Sequence, residues 1–430
     1  TEPANAAPTL DEVGALVAAA EALTRAAIAA ASALTGGGEA IDDHQVIADR
    51  VAYAATEVRA ARELHAAAAA SPALLPVAAA GVAELAAAAR DRLSPIVEDL
   101  GLGDAAVEAA YPAAIRALLR RCGHERVVRA IGRAVAEARG KNEWPLDETL
   151  AAVRDSVRQF ADKKVAPHAE HIHRHDELVP QGFIDAMSEL GYFGLSIPTS
   201  YGGHELGNLA MILTTEELSR ASLASAGSLI TRPEILAKAL LAGGTEAQKQ
   251  AWLPRIASGE LMVAISVTEP NVGSDVASVA CRAEPATVDG VDGWALTGAK
   301  SWCTFAGRAN ILALLARTDP DPGKGARGLS LFVVEKPVFE GHQFVATQSG
   351  SGAGRLEGKA DRTPGYRGMH SFTLDLERWF VPAANLVGGG AGLGRGFYLQ
   401  MAGFAAGRLQ TGGRACGVAQ AALERTAEYV

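Results

Sequence analysis

The sequence predicts an α+β protein in which helices come first, a β domain follows and helix returns at the end. Alanine-rich stretches without strand patterns fill residues 1–140, and alanine favours helix because it loses no side-chain entropy there. A second helical region covers 141–260, whereas short apolar or alternating runs within 261–388 are typical of strands. Residues 389–430 have a helical pattern again. We therefore expect a helical extension, an N-terminal α domain, a middle β domain and the start of a C-terminal helical domain.

Composition excludes several broad classes of protein. The 430 residues are 49% hydrophobic and 21% charged, which excludes general disorder, and the net charge of −9 disfavours a nucleic-acid partner. Four cysteines lie far apart, so they predict reduced thiols and a cytoplasmic location rather than a zinc or redox CxxC site. Charged and polar residues interrupt the apolar stretch 16–34, and no basic leader region precedes it. We expect neither a signal peptide nor a membrane span.

Local patterns divide the helical and β regions further. Glycine and proline breaks split the extension into four or five helices, which we expect to pack as a bundle. The helix that carries Val157 and Phe160 on one face is expected to end near Lys163 and Lys164. The β region contains six or more strands by its apolar runs. Its stretch 341–365, rich in glycine, serine and charge, is predicted to be a surface loop.

The strongest chemical signal is VTEPNVGSD at residues 267–275. Small hydroxyl residues and glycine after a strand let backbone N–H groups approach an anionic or carbonyl-rich ligand closely. The same composition also fits an ordinary turn.

This segment resembles the flavin-site motif of the acyl-CoA dehydrogenase family, Thr-Glu-Pro-x-x-Gly-Ser-Asp. Further segments between about 145 and 430 match motifs of that family in the family's order. They are GLSIP at 194–198, YGG at 201–203, GTEAQK at 244–249, WLP at 252–254, SGE at 258–260, LTGAKSW at 296–302, VP at 381–382, NLVG at 385–388 and GRGF at 394–397. An ordered set of this kind is far more specific than any single motif.

The resemblance implies a cofactor, a reaction and partners. FAD would lie between the β domain and the C-terminal helices of the family fold. The enzyme would remove the α proton of an acyl-CoA thioester and pass the β hydride to the flavin. The resemblance also implies an electron-transferring flavoprotein as acceptor and a homodimer or homotetramer.

Matching motif positions assign the FAD contacts. They are Val267, Thr268, Gly273, Ser274, Trp302 and Thr304. Trp302 would cover the isoalloxazine ring, Thr304 would bond near its N5, and Ser274 would also reach the pantetheine of CoA. Taken alone, Trp302 fits a core tryptophan as well, because tryptophan is mostly used for buried area.

The acyl-CoA contacts and the catalytic base are assigned less completely. Phe404 and Arg408 resemble the family helix that contacts acyl-CoA. Most of the family places a catalytic glutamate late in the last domain, and one branch places it on this helix, at the position of Gly407. Glycine cannot act as a base, so the base is unknown and is expected beyond Val430, with the chain cut inside a helical domain.

Three features indicate a branch of the family that oxidises a short, branched dicarboxylic acyl-CoA. They are the extension, Arg232, and the distinctive loop that contains Arg367. A distal carboxylate needs a cationic partner because an unpaired buried charge is costly. Arg232 is the first candidate and Arg367 the second, although Arg232 could instead pair with a protein carboxylate such as Glu234.

Other functions remain open from the sequence. One is a flavoprotein oxidase or monooxygenase on the same fold, and another is a non-catalytic binding protein that kept the fold. A histidine cluster is expected to be a solvated helix end rather than a metal site; its members are His168, His171, His173 and His175.

Overall fold

A computed structural model describes residues 7–141, 144–350 and 353–430. The chain divides into two compact units, Thr1–Leu146 with Leu423–Val430, and Asp147–Ala422. The first unit is helical, and the second combines helices with a β-sheet, so the predicted α+β class is confirmed.

Six α-helices lie within residues 7–141 of the first unit. They are α1 Leu10–Leu34, α2 Gln45–Ala70, α3 Leu75–Leu93, α4 Asp104–Ala110, α5 Ala113–Cys122 and α6 Glu125–Glu137. A capping box at Thr9 and Glu12 begins α1, with the side chain of each accepting from the backbone N–H of the other. The sequence predicted four or five helices. The difference is at the end of the region, where Pro112 and Gly123 interrupt short helices that the composition alone did not separate.

Two segments of this unit, Leu10–Leu34 and Pro72–Ile96, are long and apolar enough to cross a membrane by length and composition. Such a result is weak evidence, because helices in the core of a globular bundle pass the same test. Residues from both segments, including Leu16, Leu23, Val82 and Leu93, are buried in one shared core.

Six further helices begin the second unit. They are α7 Glu148–Phe160, α8 Ala166–His175, α9 Gln181–Glu189, α10 Gly207–Ser222, α11 Thr231–Gly243 and α12 Glu246–Ala257. Val157 and Phe160 are buried as the spacing predicts. The helix does not end near Lys163, however: a π-helical turn, Ala161–Val165, carries it directly into α8. Pro167 is the second residue of α8 and comes directly after this turn, in which the Ala166 N–H bonds to the Ala161 carbonyl.

Eight strands in the described residues form one sheet. They are β1 Val263–Ser266, β2 Arg282–Val288, β3 Val291–Thr304, β4 Ile311–Arg317, β5 Leu329–Glu335, β6 Gln343–Thr347, β7 Arg355–Ala360 and β8 Ser371–Pro382. Their order is β1-β4-β2-β3-β8-β7-β6, with β5 also paired to β4. Strands β1 and β4 are parallel, whereas β3 and β8 form a long antiparallel pair. This arrangement brings the C-terminal ends of β1 and β3 together.

The prediction of a surface loop over residues 341–365 is wrong, because the segment contains the β6–β7 hairpin. Phe344 and Ala346 are buried while their neighbours are exposed, which is the alternation of a one-sided strand. Phe344 stacks on Phe339 with ring centroids 4.8 Å apart. Arg355 and Lys359 on the exposed face, and glycine at the buried position 358, hid this pattern in the sequence.

The chain ends in one long helix, α13 Gly396–Tyr429. Its close approach to two earlier helices depends on glycine. A Cβ at Gly403 would collide with the carbonyl oxygen of Ile235 on α11, and one at Gly417 would collide with the carbonyl oxygen of Glu216 on α10. The backbone cannot yield as a flexible side chain would, so only glycine fits these two contacts.

Candidate functional site

The predicted cofactor residues begin where β1 meets the end of β3. Val267, directly after β1, is buried, and Thr268 is half-buried. The Thr268 carbonyl accepts a hydrogen bond from the Ser301 N–H at 2.9 Å. This single backbone bond brings the segment 267–275 beside the segment that carries Trp302. The motif that contains Val267 and the motif that contains Lys300 thus lie side by side, although these two residues are 33 positions apart in the sequence.

A buried ion pair fixes this junction, and the sequence reasoning missed it. The Lys300 ammonium donates to Glu269 at 2.8 Å and to the Val267 carbonyl at 3.1 Å, and Lys300 is fully buried. Glu269 also accepts from the N–H groups of Ala280 and Cys281, both at 2.8 Å. A lysine among the apolar and small residues of a strand is the signal that could have predicted such a partner, since an unpaired buried charge is very costly.

Trp302 is held at the surface by an irregularity in the sheet. The β3–β8 register shifts between Lys300, which faces Leu374, and Cys303, which faces Phe372, so β3 has one extra residue there. Trp302 adopts φ 58°, in the left-handed region that bulky residues rarely occupy, and it is 59% exposed. The structure therefore removes the core-tryptophan alternative. Such a conformation costs roughly 1–3 kcal/mol and is typical of ligand-binding positions.

The remaining predicted FAD residues lie on either side of this tryptophan in sequence. Thr304 is buried, and its hydroxyl shares a 2.8 Å hydrogen bond with the Ser371 hydroxyl. Gly273 and Ser274 are exposed, and a Cβ at Gly273 would meet nothing within 4 Å. An exposed aromatic side chain, hydroxyl groups and an open glycine loop fit a planar aromatic cofactor with a phosphate tail.

Arg232, the first candidate for the distal carboxylate, makes no ion pair with Glu234. Its guanidinium donates to the Ser228 carbonyl at 3.0 Å and to the Tyr366 hydroxyl at 3.2 Å. Glu234 is buried and accepts instead from the Ser196 hydroxyl, with Lys238 at 3.5 Å. The alternative in which Glu234 neutralises Arg232 is therefore contradicted.

Comparison with known proteins places this site in a family. The model of the acyl-CoA dehydrogenase N-terminal domain matches residues 147–260, and that of the middle domain matches residues 264–377. Together they cover more than half of the chain. The chain belongs to the acyl-CoA dehydrogenase family. The predicted resemblance and family fold are thereby confirmed.

Members of the acyl-CoA dehydrogenase family match about two thirds of the chain. The (2S)-methylsuccinyl-CoA dehydrogenase of Cereibacter sphaeroides is 44% identical over 299 residues, which is 69% of this chain and 51% of that protein. The chain thus spans about half the length of this relative. The structure of glutaryl-coenzyme A dehydrogenase with glutaryl-CoA matches with a TM-score of 0.55 and 29% identity over 65% of this chain and 66% of the other. A chain in a structure of the electron-transferring flavoprotein of Acidaminococcus fermentans matches with a TM-score of 0.56 and 29% identity, covering 65% and 68%.

The helix expected to contact acyl-CoA in this acyl-CoA dehydrogenase family member is the first part of α13. Phe404 is half-buried against a core cluster, and Arg408 is exposed with its guanidinium 3.9 Å from the sulfur of Met401. Gly407, at the position of the base in one branch of the family, is buried, and a Cβ there would lie 2.9 Å from Cδ1 of Ile235. The position thus provides neither a carboxylate nor open space beside its Cα.

Arg367, the second candidate, lies apart from the contacts of Arg232. Its guanidinium forms a 3.5 Å ion pair with Asp176 and donates to the His173 carbonyl at 3.3 Å. Asp176 also lies with His342 and His370 in a group whose ligand atoms are within 4.8 Å of one another, close enough to hold a metal ion. The four histidines highlighted by the sequence are exposed on α8 and do not belong to this group.

Proposed function

We propose that the full-length protein is an FAD-dependent acyl-CoA dehydrogenase acting on a short, branched dicarboxylic acyl-CoA, with conversion of (2S)-methylsuccinyl-CoA to mesaconyl-CoA as the candidate reaction. Bound FAD supplies the acceptor for the hydride that leaves the β carbon. Family membership supports the reaction class, and the 44% identical relative supports the substrate. The observation that carries the dicarboxylic assignment is Arg232, a half-buried cation whose described partners are a carbonyl and a phenol rather than a carboxylate.

The residues of the chain have distinct tasks in this proposal. Trp302 covers one face of the cofactor ring, for which the bulge in β3 holds its side chain outside the core. Thr268 and Thr304 provide hydroxyl and backbone groups at the edge of the ring, while Gly273 and Ser274 provide an open loop for the phosphates and pantetheine. Phe404 and Arg408 contact the acyl-CoA from α13. The buried ion pair of Glu269 and Lys300 supports these groups from below.

An electron-transferring flavoprotein is the proposed electron acceptor, a homodimer or homotetramer the proposed assembly, and the cytoplasm the proposed location. The acceptor and the assembly are proposed from the family, and the match to the Acidaminococcus fermentans structure supports the acceptor. An oxidase or monooxygenase would instead consume oxygen at a rate matching substrate loss. A non-catalytic protein would purify without a flavin spectrum.

Replacement of Arg232 by methionine tests the substrate assignment, because methionine keeps much of the volume and removes the charge. A charge-assisted hydrogen bond contributes about 1.5–3 kcal/mol, so kcat/KM for methylsuccinyl-CoA should fall about tenfold to a hundredfold. Activity on 2-methylbutyryl-CoA, which lacks the distal carboxylate, should fall far less. Arg255→Met is the control, since Arg255 is exposed and pairs with Glu260 on the surface. Equal losses on both substrates would assign Arg232 a structural role.

A further inference from the structure

A second arginine, which the sequence did not single out, lies in the same cluster as Arg232. Arg414 on α13 donates to the Ser228 hydroxyl at 3.2 Å, while Arg232 on α11 donates to the Ser228 carbonyl at 3.0 Å and to the Tyr366 hydroxyl at 3.2 Å. Both guanidinium groups are therefore gathered around one serine and one phenol. All four side chains belong to the second unit and come from three separate parts of the sequence.

The cluster has an excess of positive charge. Within residues 7–141, 144–350 and 353–430, neither Arg232 nor Arg414 forms an ion pair with a carboxylate. Burial and the neighbouring Arg232 lower the pKa of Arg414, and Tyr366 partly offsets that effect. Burial alone would raise the pKa of Tyr366, but Arg232, Ser228 and Arg414 together hold it below its usual value. Two half-buried cations that face a polarised phenol form a site that an anion would stabilise.

The position of Arg414 connects this cluster with the part of α13 assigned to acyl-CoA. Arg414 follows Gly407 by seven residues, two helical turns along the same face. The two are also joined through hydrogen bonds: Arg414 donates to the Thr411 hydroxyl at 2.8 Å, and that hydroxyl donates to the Gly407 carbonyl at 2.9 Å. Arg232 lies three residues before Ile235, whose side chain faces Gly407. The cluster thus lies beside the contact between α11 and α13 that Ile235 and Gly407 form.

We propose that Arg414 and Arg232, assisted by the Tyr366 hydroxyl, form a two-arginine clamp that binds the distal carboxylate of the acyl group. This assignment rests on the proposed function and adds to it the residue that determines specificity together with Arg232. A carboxylate between the two guanidinium groups accepts a charge-assisted hydrogen bond from each and offsets their mutual repulsion. The phenol donates a third bond. An uncharged acyl chain leaves both cations unneutralised, so the clamp selects against it.

Two unreactive ligands of matched length test the clamp. S-(3-carboxypropyl)-CoA carries the carboxylate, S-butyl-CoA lacks it, and neither can be oxidised because each lacks the thioester carbonyl. Their dissociation constants are measured by titration calorimetry on the full-length, FAD-loaded protein. Arg414→Met should weaken binding of the carboxypropyl ligand about tenfold to a hundredfold and change binding of the butyl ligand less than about twofold. Arg414→Lys should give an intermediate loss, and Tyr366→Phe a loss of a few fold.

Arg425→Met serves as the matched control, because Arg425 is on the same helix, exposed, and paired with Glu428. It should leave both dissociation constants unchanged. Retained binding of the butyl ligand shows that the Arg414 variants are folded. Equal loss of both ligands, or no loss of either, overturns the clamp while leaving the dehydrogenase assignment intact. A wild-type protein that binds neither ligand overturns the proposed function and the clamp together.

Discussion

Replacing Lys300 by methionine should strongly destabilise the second unit and its cofactor site. The ammonium group of Lys300 is fully buried, and its loss leaves Glu269, only 7% exposed, without its cationic partner. It also leaves the Val267 carbonyl without the 3.1 Å hydrogen bond. Removing one member of a buried ion pair typically costs about 3–5 kcal/mol. Glu269 keeps two backbone N–H donors, from Ala280 and Cys281, which favours the lower part of that range.

The assay is urea unfolding followed by circular dichroism, combined with the FAD dissociation constant from flavin fluorescence. Lys300→Met should lower the free energy of unfolding by about 3 kcal/mol or more and weaken FAD binding. Arg255→Met is the control, because the Arg255–Glu260 pair has a nearly equal distance, 2.7 Å, but is exposed, and it should cost less than about 1 kcal/mol. If the two variants lose the same small amount, the buried pair does not hold the junction of β1 and β3, and the reasoning is wrong.

Three further predictions test separate elements. Trp302→Gly should change the free energy of unfolding by less than about 1 kcal/mol, because Trp302 is exposed and has a φ that suits glycine. The same variant should weaken FAD binding at least about tenfold, and tight FAD binding by it would contradict the contact with the flavin ring. Gly403→Ala should lower the free energy of unfolding by about 1–3 kcal/mol, because the new Cβ would collide with the Ile235 carbonyl. Gly412→Ala, where a Cβ would meet nothing within 4 Å, should instead stabilise α13 by about 0.5–1 kcal/mol. Urea midpoints that shift in the same direction for both variants would refute the packing argument. Burial lowers the pKa of Lys336 to about 7, so between pH 7 and the ordinary lysine pKa the unfolded chain holds one more proton than the folded chain. In that range the stability of the wild-type protein should rise with pH relative to that of Lys336→Met. Parallel curves of stability against pH for the two proteins would contradict this.

The sequence predicted the elements whose patterns are local and repeated. The Thr245–Gln248 capping box, a local pattern, begins α12, and the buried faces of α7 and β8 follow their apolar spacing. The β6–β7 hairpin was missed because the outward-facing residues of β7 include charges, Arg355 and Lys359, and one of its buried positions is a glycine, Gly358. The π-helical turn after α7 was missed because proline in a first turn and proline after a helix end give the same sequence pattern.

The candidate site divides in the same way. Motif resemblance identified Trp302 and Thr268, but the bulge that exposes Trp302 depends on the register of β3 against β8, which no local pattern shows. Arg414 looked like one more helical arginine, because Ser228 and Tyr366, its neighbours in the cluster, are 186 and 48 residues away in the chain. Long-range contacts of this kind appear only once the fold is known.

An anaerobic titration of the full-length, FAD-loaded protein with (2S)-methylsuccinyl-CoA tests the central claim most directly. The flavin absorbance near 450 nm is followed while the acyl product is identified by mass spectrometry. We expect roughly stoichiometric bleaching with formation of mesaconyl-CoA, and at least about tenfold less efficient bleaching by 2-methylbutyryl-CoA, in line with one lost charge-assisted hydrogen bond. A protein without flavin absorbance, or one that the uncharged acyl-CoA reduces equally well, would contradict the account.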